Sequence, residues 1–200
     1  DKFYNEFDGS KLIYPIRDII GYVAAEKTRF ARRYFGSRRF AWPQLPNFFV
    51  KKFTQYDIEA QIRCWLSALT RVRLLQEKYD SNEYIVYRHE NLVNNPKDVM
   101  STIIDLMDLK FENTLIEPTI AGNPWLGNSH YGPVKGISKN ISKNYSKVLN
   151  NNEIKTINDS TKSLTKHLYT DTNITDLLSI PEKSFYRYSE QKNYFDDEQK

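Results

Sequence analysis

Between residues 54 and 79, Ile58, Ile62, Trp65, Leu66, Leu69, Val72 and Leu75 fall on one stripe at helical spacing. An amphipathic helix of this length is stable only where its apolar face lies against other elements. Thr54 and Asp57 have the spacing of a capping box, with Asp in place of Glu or Gln, so the helix is expected over 54–79. Trp65 sits on the stripe and reads as core. Apolar residues make up 40% of the 200 residues, enough to build a core for that face to join.

The segments around this helix are strands that lead into helices. Lys11 to Ile16 (KLIYPI) reads as a short buried strand, with Pro15 suited to its end or to a sheet edge. Arg17-Asp18 follows, and then a helix over Ile19–Tyr34. Strand, polar pair, helix is the arrangement of α/β ligand sites, which lie at the carboxyl ends of strands. Phe35 to Phe53, with Gly36, Pro43, Pro46 and many aromatics, is expected to be a long ordered loop. Tyr84 to Arg88 (YIVYR) is a second strand. Asn95-Pro96 starts a helix that runs to about Met107 and buries Val99, Ile103 and Leu106. Pro118 to Gly136 is expected to be irregular, and Asn151 to Leu168 helical through Ile154, Ile157, Leu164 and Leu168. The fold class is α/β and helix-rich. One domain is expected over residues 1–178, followed by a polar, aromatic tail over 179–200.

Charge is concentrated. From Lys27 to Lys52 there are eight basic residues and no Asp or Glu, while the whole chain is only +4, so the remainder is net acidic. Ten of the eleven arginines lie at or before Arg88. Arginine's planar fork suits sulfate, phosphate and carboxylate better than lysine's point charge, which makes the first half the anion-handling half. Several classes are excluded or disfavoured. The lone Cys64 rules out an internal disulfide and a multi-thiolate metal site, and His89, His130 and His167 form no local ligand pair, so no metal is expected. No apolar run approaches the roughly 20 residues of a membrane span, no signal-peptide pattern is present, and a cytoplasmic location is the expectation. The basic stretch lacks any docking motif for nucleic acid, so nucleic acid is not a favoured partner. Richness in Asn, Lys and Ile points to an AT-rich, bacterial type of genome.

Three segments, in order, resemble the sulfotransferase family, whose members use 3′-phosphoadenosine 5′-phosphosulfate. They are KLIYPIRD with its helix, YIVYRHENLVNNPKDVMSTIIDLMDL, and GNPWLGNSHYGPVKGIS with SKNYSKVLNNNEIKTIN. The resemblance covers about Ser10 to Tyr169. In the second segment the family's Arg-Tyr-Glu-Asp-Leu run is matched by Arg88-His89-Glu90-Asn91-Leu92, followed by Pro96 and Leu106-Met107-Asp108-Leu109. His89 takes the place of the Tyr that contacts adenine, and Glu90 is expected to hold the loop. In the first segment Arg17 matches the Arg that holds the 3′-phosphate. The assisting Ser falls on Ala25. A second register puts Tyr14 on the Arg and Tyr22 on the Ser, but only the first keeps the Arg. Lys135-Gly136 matches the basic residue and Gly of the loop over the cofactor, and Lys143, Tyr145 and Leu149 give a softened match beyond it.

The resemblance implies a P-loop-like three-layer fold with a few parallel strands flanked by helices. It implies transfer of a sulfuryl group from 3′-phosphoadenosine 5′-phosphosulfate to a hydroxyl or amine, with Arg17, His89, Lys135 and Gly136 on the cofactor. Arg32, Arg33, Arg38, Arg39, Trp125 and His130 are the candidates to meet an acceptor, an anionic glycan among them. The family's Lys-Ser/Thr-Gly loop, which cradles the 5′-phosphosulfate, has no match. The chain is therefore expected to be N-terminally incomplete, to supply the 3′-phosphate and adenine side, and to be inactive alone. The catalytic base is not identified. The alternative reading is a non-catalytic nucleotide- or polyanion-binding module on a degenerate sulfotransferase scaffold.

Overall fold

The computed structural model describes residues 6–7, 9–35, 46–125, 136–139 and 141–168. Strand β1 (Leu12–Ile16) pairs in parallel with β2 (Tyr84–Arg88), with Leu12 opposite Tyr84 and Ile16 opposite Arg88. A parallel pair needs a crossover. Here it is made by helices α1 (Ile19–Tyr34), α2 (Asn47–Lys52) and α3 (Ile58–Lys78). After β2 come α4 (His89–Asn94), α5 (Pro96–Leu106), a 3-10 turn (Asn113–Ile116), the hairpin β3 (Thr119–Ile120) and β4 (Asn123–Pro124), a second 3-10 turn (Ile141–Lys147) and α6 (Asn151–Leu168).

The stripe on α3 does what its spacing predicts. Ile62, Trp65, Leu66, Leu69 and Val72 are buried in one cluster with Ile19, Val23, Ala24 and Ala31 of α1. Ile157 and Leu164 of α6 join it, as do Val148 and Leu149 before that helix. β2 is covered on both faces. Val86 enters this cluster, whereas Ile85 lies outside it and α5, with buried Ile103 and Ile104, packs on β2. That is a layered, helix-rich α/β arrangement with a small parallel sheet. β1 is less protected: Ile16 is buried, but Ile13 and Pro15 are exposed.

Pro15 is accommodated by the parity of the ladder. Leu12 N donates to Glu83 O at 2.9 Å, so the backbone groups of Leu12, Tyr14 and Ile16 face β2. Pro15 is out of phase and turns its N away from that partner, where a missing N–H breaks no ladder bond.

Four local expectations are corrected. The central helix begins at Ile58, not Thr54, because Asp57 is its cap and accepts from Ala60 N at 2.8 Å. Phe53 and Tyr56 are buried just ahead of it, which holds that stretch extended. The loop of 35–53 contains α2, a single helical turn and a half anchored by buried Val50. His89 to Asn94 forms its own helix before Pro96 instead of a plain turn. The irregular stretch from Pro118 contains the β3–β4 hairpin, turned by Ala121 and Gly122, both at positive φ. The expected tail over 179–200 lies outside the described residues.

Candidate functional site

The register of the two strands determines the site. Ile16 stands opposite Arg88, so Arg17 and His89 leave neighbouring strand ends at the same level. Asp18 follows Arg17 and caps α1, its Oδ1 accepting from Gly21 N at 2.7 Å. Asp immediately before an apolar helical run is a strong N-cap. The amide of Asp18 in turn donates to Glu90 Oε1 at 3.0 Å, which ties the end of β1 to α4. This is the loop-holding role expected of Glu90. On the core side, the Trp65 indole donates to the Arg17 carbonyl at 2.9 Å.

Gly21 gives the cluster its room. A Cβ there would lie 2.5 Å from Asp18 Oδ2 and 3.1 Å from Arg17 Nε, so both side chains lie against the bare first turn of α1. Nothing in the sequence reading singled out Gly21. The signal was the glycine three residues after an N-capping Asp.

The electrostatics follow from crowding. Burial pushes the Asp18 carboxyl up; Glu90 adds to the rise, against the pull of the Gly21 amide and Arg17. His89 is held below the usual imidazole range, first by burial and then by the Arg17 charge, so its ring is neutral at pH 7. Its side chain is 42% exposed, with Nδ1 3.9 Å from Glu90 Oε1. The donor set suits an anion gripped by a guanidinium, with a planar group against His89. The N-terminus of α1 does not add to it, because Asp18 already fills that cap.

No family model matches the chain, and no curated protein matches it in sequence. Among solved structures, it is similar to the sulfotransferase domain from the curacin biosynthetic pathway, with a TM-score of 0.50 and 15% identity. The fold is sulfotransferase-like. The match covers 78% of this chain and 54% of that domain, so the chain spans about half of that domain's length.

On this sulfotransferase-like scaffold the expected site residues separate into groups. Arg17 and His89 come together. Tyr14 lies within β1 opposite Val86, so only Arg17 occupies the strand end. Arg32 and Arg33 are at the other end of α1. At 1.5 Å per residue that end is about 22 Å from the Arg17 end. Arg32 is half-buried with no acceptor on Nε among the described residues, and Arg33 is exposed. Beside them Tyr34, Phe35, Phe49 and Phe53 form a chain of ring contacts at 5.2–6.3 Å, and Lys52 Nζ sits 4.3 Å over Phe48. Trp125, 42% exposed, follows the β3–β4 hairpin, and Gly136 has φ +71. Leu149 is core, and Tyr145 packs against it. Lys135, Arg38, Arg39 and His130 lie outside the described residues. No three His, Cys, Asp or Glu side chains gather as metal ligands among the described residues, and no helix there is long and apolar enough to cross a membrane.

Proposed function

We propose that this chain forms the nucleotide-holding part of a sulfotransferase-like protein that uses 3′-phosphoadenosine 5′-phosphosulfate. In this reading Arg17 grips the 3′-phosphate, His89 stacks on or hydrogen-bonds to the adenine, and Lys135-Gly136 closes over the nucleotide. The observation that carries it is the register that sets Arg17 and His89 side by side at the ends of parallel strands. A permanently charged fork and a neutral ring are the two chemistries a phosphorylated nucleoside needs. The co-substrate would supply the sulfuryl group. This chain's residues would bind and orient its nucleoside end.

The acceptor belongs elsewhere on the molecule. Arg32 and Arg33 are too far along α1 to touch a nucleotide at Arg17. With Arg38 and Arg39 they are assigned instead to an extended anionic acceptor such as a charged glycan, with Trp125 and His130 as further wall. The exposed rings of Tyr34, Phe35, Phe48 and Phe49 near the Arg32–Arg33 end of α1 support that reading. Neutralising Arg32 and Arg33 together should weaken binding of a sulfated or carboxylated oligosaccharide and flatten its salt dependence.

Calorimetric titration with 3′,5′-phosphoadenosine tests the nucleotide reading. Wild type should bind and Arg17→Ala should lose at least tenfold in affinity, since a charge-assisted contact is worth about 1.5–3 kcal/mol. Equal affinity in the two would remove Arg17 from the clamp. A second reading, a non-catalytic binding module, is favoured by one observation: the Asp18 carboxylate lies beside the Arg17 guanidinium over the bare turn at Gly21. Nucleotide binding without sulfuryl transfer in the longest natural form of the protein would select it.

A further inference from the structure

Three features of the Arg17 cluster have no role in the nucleotide reading. Glu90 uses Oε1 to accept from the Asp18 amide, while its Oε2 is buried and meets no hydrogen-bond donor among the described residues. Asp18 uses Oδ1 on Gly21 N, and its Oδ2 lies over the same bare turn as Arg17 Nε. The bond from the Asp18 amide to Glu90 Oε1 at 3.0 Å brings the two carboxyl groups close together, and each acts on the other electrostatically. An acceptor buried without a donor destabilises the fold. Two ionised carboxylates so close repel, whereas a carboxyl and a carboxylate hydrogen-bond.

We propose that Asp18 and Glu90 hold one proton between them, and that a phosphorylated ligand gripped by Arg17 binds together with that proton. The Glu90 oxygen then has its donor, the pair carries one negative charge instead of two, and Arg17 is left to meet the incoming anion. The charged and titratable groups around the pair are Arg17 at the end of β1, Arg88 at the end of β2 and His89 on α4; α1 contributes the Gly21 amide. From α3, Trp65 contributes only a neutral indole, spent on the Arg17 carbonyl. Burial and the mutual repulsion both raise the proton affinity of Asp18. A dianionic phosphate beside the pair raises it further, and by linkage the proton strengthens phosphate binding by the same factor. The ligand half of this proposal rests on the nucleotide reading above. The proton half does not.

The experiment therefore has two arms. Carboxyl carbon NMR of the ligand-free chain should show Asp18 titrating above the ordinary carboxylate range. Glu90→Gln keeps the acceptor for the Asp18 amide and offers Asp18 an amide donor, so it should lower the Asp18 titration and leave only the part of the rise that burial causes. An ordinary Asp18 in wild type overturns the shared proton whatever binds. In the second arm, 3′,5′-phosphoadenosine is titrated between pH 5 and 8 into wild type and Asp18→Asn, which preserves the helix cap. Wild-type affinity should fall up to about tenfold per pH unit more steeply than that of the variant, the limit for one linked proton. The phosphate's own titration is common to both chains and cancels in that comparison. Parallel profiles overturn the linkage. Absence of binding by either chain at every pH removes the nucleotide reading and the linkage with it, and leaves the proton to be decided by the NMR arm.

Discussion

The Trp65 indole N–H donates to the backbone carbonyl of Arg17 across 2.9 Å. Trp65 is only 5% exposed and lies in the middle of the α3 stripe. Arg17 is the residue at which β1 stops donating to its neighbour and α1 has not yet begun. Its carbonyl has no ladder partner, and the core supplies one. A single side chain thus joins the packing of the crossover helix to the direction in which the strand-end guanidinium leaves the backbone.

Replacing Trp65 with Phe keeps an aromatic ring in the core and removes the donor. The carbonyl is then buried without a partner, at a cost of about 1–3 kcal/mol. Urea unfolding should show that loss. Affinity for 3′,5′-phosphoadenosine should fall as well, at temperatures where the variant is fully folded. A stability loss with unchanged nucleotide affinity would confine Trp65 to packing.

Gly21→Ala sets two terms against each other. Alanine is favoured over glycine in a helix by about 1 kcal/mol. The new Cβ would lie 2.5 Å from Asp18 Oδ2 and so displaces the capping carboxylate. Loss of an N-cap also costs about 1 kcal/mol. The melting temperature should change little while the Arg17 and Asp18 side chains are pushed aside, so nucleotide affinity should drop several-fold. Unchanged affinity would show that the bare turn has no part in placing them.

Helix α1 was readable in the sequence because the apolar spacing after Asp18 agrees with a strong cap. The start of α3 was misplaced because Thr54 and Asp57 are both chemically competent caps. The choice was made by tertiary structure: Tyr56 is buried and its hydroxyl reaches Val23 O at 3.3 Å, which holds 53–57 out of the helix. Helix α2 was hidden in a Pro- and aromatic-rich stretch, since six residues are too few to show a period. The stripe marked Trp65 as core, but periodicity locates burial and says nothing of where a ring N–H ends. The pairing of Arg17 with His89 followed from the strand order once the register was known. The separation of Arg32 and Arg33 from them was implicit in the length of α1.

His89 should make stability pH-dependent with a definite sign. Its folded-state value lies below the ordinary 6.5, by burial and the Arg17 charge. The unfolded chain therefore binds more protons, and the stabilisation present above pH 6.5 is lost as pH falls through the lowered value. Asp18, raised above 3.8, acts in the opposite direction, with stability lost as pH rises through its raised value. The two are separated by variants. Between pH 7.5 and 5.5, wild type should lose more stability than His89→Gln in urea unfolding. Identical losses would show that the imidazole titrates as it does in the unfolded chain.

The buried ion pair at the middle of α1 gives the last test. Lys27 is fully buried, and its Nζ donates to Glu153 Oε1 at 2.7 Å, Oε2 at 2.9 Å and Lys51 O at 3.2 Å. One ammonium therefore links α1, α2 and α6. Glu153 also belongs to a reciprocal cap of α6, accepting from Asn150 N at 2.7 Å while its own amide donates to Asn150 Oδ1 at 2.9 Å. Removing one member of a buried pair strands the other charge, which costs about 3–5 kcal/mol, whereas removing both is far milder. Lys27→Met should therefore be strongly destabilising. The double change Lys27→Met with Glu153→Gln should regain part of that loss, because Gln preserves the α6 cap and carries no charge. Urea unfolding of the two single variants and the double variant closes the cycle. Strict additivity would mean that Lys27 stabilises the fold through its aliphatic stem and its bond to Lys51 O, and not through Glu153.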